Sequence, residues 1–182
     1  MKINLLAATF FRGWAIAAAG RGEEGITEMR RTISDPIVPP TSVFRALMLT
    51  ALAETLGKQG RAEEGLDLVE NGLTAAEQTG LGGISEAELH RLKGELLLIK
   101  DASNMAAAEH CLRTAIEVAN RQSAKLFELR ATVGLARLLR DTHRRNEAQT
   151  MLGEIYNWFT EGFDTRDLQE ARQLLDELDQ EF

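Results

Sequence analysis

Cysteine occurs once, as Cys111, so no intrachain disulfide framework is available and a reducing compartment fits. The spacing places Cys111 beside Leu112 and Ala115 on an apolar helix face, where a small core residue is expected rather than a nucleophile. Proline is also scarce, at three in 182 residues, and no run of alternating valine, isoleucine and threonine suggests a strand. Stretches rich in alanine, leucine, glutamate and arginine fill the chain, and these residues favour helix. The predicted class is all-α.

Other absences narrow the function. A net charge of −7 argues against nucleic acid, which needs clustered lysine and arginine to neutralise phosphate. Arg137, Arg140, Arg144 and Arg145 do lie close together, but at a helix end they read as a solvated face that complements the dipole. The stretch from Lys2 to Ala19 loosely imitates a secretory signal. Arg12 interrupts it, and no apolar run reaches the roughly 18 residues a membrane span needs. A cytoplasmic chain with no membrane or nucleic-acid partner is expected. There is no GxxxxGK[ST] phosphate loop. Gly80-Leu81-Gly82-Gly83 follows no strand and precedes no lysine, so it reads as a helix-breaking linker. His90, His110 and His143 have no cysteine or glutamate at metal-ligand spacing. No catalytic, cofactor or metal site is expected.

What the chain does have is a repeat. Gly20-Arg21-Gly22-Glu23-Glu24-Gly25 and Gly60-Arg61-Ala62-Glu63-Glu64-Gly65 differ at one position and lie forty residues apart, each between two apolar helical stretches. A helix–turn–helix unit recurring at such a period marks a solenoid. Aligned on the small residue of the second helix, the units place Gly25, Gly65, Ala108 and Ala148 together, followed four residues later by Met29, Val69, Leu112 and Leu152. Gly20, Gly60, Ser103 and His143 occupy the turn. Gly13, Ala53 and Ala136 precede the small residue by twelve, with Gly94 near the matching place in the third unit. Small residues at a crossing let helices approach, and bulky neighbours fill the space beside them. Stripes at i, i+3, i+4 and i+7 follow: Leu49, Leu52, Ala53 and Leu56; Thr132, Leu135, Ala136 and Leu139; and, more loosely, Leu89, Leu92, Leu96 and Ile99.

Boundary signals agree with this spacing. Pro36, Pro39 and Pro40 close the first unit, and Thr41 or Ser42 caps the next. Ser85-Glu86-Ala87-Glu88 reads as a capping box, and Asp101 to Asn104 as the internal turn of the third unit. Gly162 ends the fourth, and Asp164 or Thr165 opens a last helix carrying Leu168, Ala171, Leu174, Leu175 and Leu178. Asp167, Glu170, Asp176, Glu177, Asp179 and Glu181 are expected on its outer side, as on a polar terminal cap. The result is one helical-repeat domain. Repeats are predicted over about 3–36, 41–80, 85–122 and 124–161, with a capping helix over 165–180.

This pattern resembles the tetratricopeptide repeat (TPR), with a period longer than the usual one. The strings RGWAIAAAGRGEEGI, ELHRLKGELLL, AEHCLRTAIEVANRQSAKLFELRA and NWFTEGFDTRDLQEARQLLDEL, from about Phe11 to Leu178, are similar to the C-terminal region of bacterial class III adenylate/guanylate cyclases fused to an ATPase module. Related regions occur in maltose-regulator-type activators. The resemblance implies a TPR-like α-solenoid of about four helix hairpins plus a C-terminal capping helix. It further implies a non-catalytic scaffold in a signalling protein, or a regulatory fragment of a cyclase or ATPase on another chain. Carrying over the concave face of such repeats gives Glu54, Lys58, Arg91, Glu95, Arg130, Arg137 and Arg140 as a surface for a protein or peptide whose charges alternate. Phe10, Phe11 and Trp14 lie on the first helix with no repeat before them and no polar outer face. They are expected to form an interface for further repeats or for a second copy of the chain.

Overall fold

In the computed structural model, which describes residues 2–39, 42–79 and 83–180, every regular element is a helix. Pro40, Thr41, Gly80, Leu81, Gly82 and Glu181, on which several boundary expectations fall, lie outside the described residues. The helices are α1 (Lys2–Ala18), α2 (Gly22–Ile33), α3 (Val43–Lys58), α4 (Ala62–Thr79), α5 (Gly83–Lys100), α6 (Met105–Arg121), α7 (Lys125–Asp141), α8 (Arg145–Tyr156) and α9 (Arg166–Asp179). Consecutive helices pair as α1–α2, α3–α4, α5–α6 and α7–α8. The first helices of successive pairs also touch, in the order α1, α3, α5, α7, α9. Among the described residues, α2, α4, α6 and α8 make no such approach to one another. One row of helices is therefore close-packed and the other splayed, which curves the stack around the first row.

Glycine sets how closely α1 and α2 cross. A Cβ on Gly25 would sit 2.4 Å from the Gly13 carbonyl oxygen and 2.6 Å from the Ala17 nitrogen, so only a bare backbone fits. At the next crossing a Cβ on Gly65 would meet the Ala53 oxygen at 3.2 Å. In the third hairpin a Cβ on Gly94 would meet the Ala108 oxygen at 3.0 Å, which establishes Gly94 as the partner of Ala108.

Three hairpins turn the same way. Gly20 (φ 89°), Gly60 (φ 74°) and His143 (φ 61°) take the left-handed conformation. The amides after them, on Arg21, Arg61 and Arg144, donate back to the Ile16, Leu56 and Leu139 carbonyls at 3.2, 2.9 and 2.7 Å. This is a Schellman C-cap, which satisfies carbonyls left open at the helix end. The third hairpin departs from the expectation. Ser103 is not left-handed; it lies in a short 3-10 turn, Ala102–Asn104, whose entry is held by Asp101 accepting from the Ser103 amide at 2.8 Å. This longer turn occupies the stretch where the repeat spacing widens from 40 to 43 residues. The left-handed residue appears instead at Ser123, between α6 and α7.

Two other expectations are corrected. Helix α5 starts at Gly83, so Ser85 lies inside its first turn and caps nothing; its Oγ has no hydrogen-bond partner among the described residues. Ile99 is 53% exposed and leaves the stripe that Leu89, Leu92 and Leu96 continue into the core. By contrast, Ser42 accepts from the Arg45 amide at 3.1 Å and caps α3. The core runs the length of the stack in adjoining clusters, the largest built around Leu112, Leu129, Leu139 and Leu152 and closed by Leu168, Ala171, Leu174 and Leu178 of α9. No described helix is long and apolar enough to cross a membrane.

Candidate functional site

The close-packed row of first helices presents one groove, enclosing about 570 Å³. Six of the seven residues expected on the concave face line it: Glu54, Lys58, Arg91, Glu95, Arg130 and Arg137. They converge because each stands on the first helix of its hairpin, about one turn around from the buried stripe. Arg140 is the exception. It reaches away to α9, where it bonds Glu177 at 2.7 Å, and also meets the adjacent Asp141 at 2.9 Å.

The floor of the groove is an ion-pair network. Arg91, with only 6% of its side chain exposed, bonds Glu88 at 2.9 Å and Glu95 at 2.7 Å. Burial acts against the guanidinium charge, but Glu95 and Glu88 more than offset it and hold the group protonated. Arg130 of α7 joins three other helices, meeting Glu88 of α5 at 2.9 Å, Asp167 of α9 at 3.5 Å and Glu54 of α3 at 3.9 Å. Burial raises the Glu54 carboxyl, yet the hydrogen bond from Lys58 and the charges of Lys58, Arg91 and Arg130 prevail and leave it below the ordinary carboxylate range. Glu88, Arg166, Asp167 and Glu170 are the charged groove residues that sequence reasoning missed. Glu88 has the spacing of a helix cap, and the two α9 acids fit the pattern of an outer face. Asp167 and Glu170 instead meet Arg130 and Arg137. Alternation of charge between α7 and α9 was the available signal.

The aromatic residues of α1 do not form an end patch. Phe10 is 1% exposed and packs in the core with Ile26, Met29, Met48 and Leu52. Phe11 and Trp14, 55% and 44% exposed, face the groove and extend it beyond Leu47 and Ala51 of α3. The outer face of the first hairpin is mixed, with Leu5, 70% exposed, beside polar side chains. Forty residues on, Leu49, Leu52 and Leu68 pack against Ile26, Met29 and Ile33. The matching residues here are Thr9, Arg12 and Glu28, and Arg12 bonds Glu28 at 2.9 Å. Polar side chains thus stand where the second repeat carries leucine.

The twin GR-x-EE-G segments tie the splayed row together. Arg61 pairs with Glu64 in its own unit and with Glu23 of the preceding one, and Glu64 also takes Arg30. The fourth unit repeats the pattern, with Arg144 on Glu147 and Glu109, and Arg113 on Glu147. The hydrogen bonds from Arg61 and Arg30 draw the Glu64 carboxyl down from 4.5 to about 2. Arg145 donates to the Glu177 and Leu178 carbonyls at the end of α9, so Arg140, Arg144 and Arg145 are spent on internal contacts while Arg137 lines the groove. Among the described residues, no group of three or more histidine, cysteine or carboxylate side chains is placed to hold a metal ion.

The geometry defines a TPR-like helical-repeat solenoid. Its similarity to solved structures agrees: a putative kinesin light chain with nearly identical TPR-like repeats from Podosopora anserina superposes with a TM-score of 0.69 at 13% identity, over 95% of this chain and 84% of that one. A single-substitution form of that protein gives a TM-score of 0.68 at 14% identity, over 95% and 92%. At this identity the likeness is one of fold. No protein-family profile matches the chain, and no curated protein sequence does.

Proposed function

We propose that the chain is a non-catalytic protein-interaction scaffold that holds a peptide or protein segment in the groove along α1, α3, α5 and α7. The observation that carries this reading is convergence. Charged side chains from three hairpins and two exposed aromatics from a fourth meet in one groove, while the turn motifs and the outer arginines are engaged in building the stack. Exposed apolar surface bordered by charge is what an interface offers. The test is capture from a native lysate by the wild-type chain and by Trp14→Ala and Arg137→Glu, each checked for unchanged helicity. A partner lost with both variants supports the groove, and a partner retained by both places binding elsewhere.

A second reading draws on the strings similar to cyclase–ATPase proteins, in which the repeats would regulate a nucleotide cyclase or ATPase on another chain in a bacterial signalling system. Adding the purified chain to such an enzyme should change its turnover, and the change should disappear with Trp14→Ala. An enzyme indifferent to the wild-type chain refutes this reading.

A further inference from the structure

The groove is not uniform along its length, and the order of its chemistry specifies what it can hold. At the α1 end its wall is apolar, formed by Phe11, Trp14 and Leu47, all more than 40% exposed. In the middle Glu54, Glu88 and Glu95 stand against Lys58, Arg91 and Arg130, so the charges balance. Towards α9, Arg137 and Arg166 stand against Asp167 and Glu170, again in balance. With the ion pairs balanced, the order lies in one repeated position that lines the groove. Trp14, Glu54 and Arg137 occupy one position of the first helix in the first, second and fourth units, and Glu95 takes it in the third, one residue beyond Gly94 as Glu54 is beyond Ala53.

We infer that the partner is an extended peptide segment carrying, in spatial order from α1 to α9, an apolar anchor, basic side chains and an acidic side chain. This rests on the groove being the binding surface. Charge complementarity sets the order, because like charges opposed across a desolvated groove exclude the wrong register. The spacing follows from geometry. Packed helices stand roughly 9 Å apart and an extended chain advances about 3.3 Å per residue, so about three residues pass each first helix. The anchor meets α1, the basic side chains meet α3 and α5, and the acid meets α7.

Synthetic ten-residue peptides test this by fluorescence anisotropy. Two carry phenylalanine, lysine, lysine and glutamate at every third position, one in each chain direction, in a serine–glycine background. Two controls have the same composition with the glutamate placed next to the phenylalanine. At least one ordered peptide should bind about tenfold more tightly than both controls, and exchanging charge with Glu95→Lys and Arg137→Glu should narrow or invert the preference. Equal binding of ordered and permuted peptides overturns the inference, as does the absence of binding by any of them up to about 1 mM. The wild-type comparison decides even if the exchanged variant fails to fold. Lysate capture lost with Trp14→Ala, together with no order preference, sinks the order and leaves the groove. Capture indifferent to the groove variants sinks the groove itself.

Discussion

Replacing Gly25 with alanine should loosen the first hairpin, although alanine is the better helix former. Two terms of opposite sign decide the outcome. In an open helical position the exchange stabilises by about 1 kcal/mol, because glycine loses more backbone entropy on folding. At Gly25 the added methyl would lie 2.4 Å from the Gly13 oxygen and 2.6 Å from the Ala17 nitrogen, both backbone atoms that cannot rotate aside. Helices α1 and α2 must separate, and overpacking of this kind destabilises by about 1–3 kcal/mol. With contacts this short the upper end applies, for a net loss of about 2 kcal/mol. In a chain of this size that corresponds to a fall in Tm of about 4–8 °C. Two controls calibrate the result. Gly153, in α8, has nothing within 4 Å of its Cβ position, so Gly153→Ala should raise Tm by a few degrees. Gly65→Ala meets mainly the flexible Leu96 methyls at 3.0–3.1 Å and should fall between the two. Differential scanning calorimetry with circular dichroism suffices. A Gly25→Ala protein as stable as Gly153→Ala would refute the close-crossing argument.

Three further outcomes follow from the same structure. Glu64 has its carboxyl lowered from 4.5 to about 2 by its arginine partners, so the stabilisation it contributes is complete above about pH 4.5 and is lost as pH falls towards about 2. Carboxyl NMR titration should place Glu64 well below the other exposed glutamates, and an ordinary midpoint would contradict the ladder. Arg91→Met should destabilise by about 3 kcal/mol, because Glu88 and Glu95 lose their buried partner. Adding Glu88→Gln should recover part of this in urea titrations, and strict additivity of the two changes would argue against the network. Arg12→Leu with Glu28→Leu rebuilds at the first hairpin the apolar surface that Leu52 and Leu68 bury in the second. The double variant should associate as concentration rises in sedimentation velocity, and unchanged sedimentation relative to wild type would mean that Arg12 and Glu28 do not limit stacking.

What the sequence by itself determined was the repeat and its turns. Helix pairing, the small residues at Gly25, Gly65, Ala108 and Ala148, and glycine at the left-handed positions 20 and 60 are local or nearly local requirements of backbone geometry, and such requirements leave a residue-by-residue trace. The groove positions could also be read in part, since a helix of known period has a computable third face. Tertiary structure alone decided where the remaining side chains were used. Phe10 and Phe11 are neighbours in sequence, yet one is buried and the other faces the groove, because a single residue step rotates the side chain by about 100° around the helix. Arg137 and Arg140 stand three residues apart on α7, and α9 draws the second out of the groove onto Glu177. Glu88 carries the spacing of a helix cap but serves as the carboxylate beneath Arg91 and Arg130, because α5 begins two residues before Ser85. In each case the deciding partner lies on another helix, at a distance along the chain that no local pattern encodes.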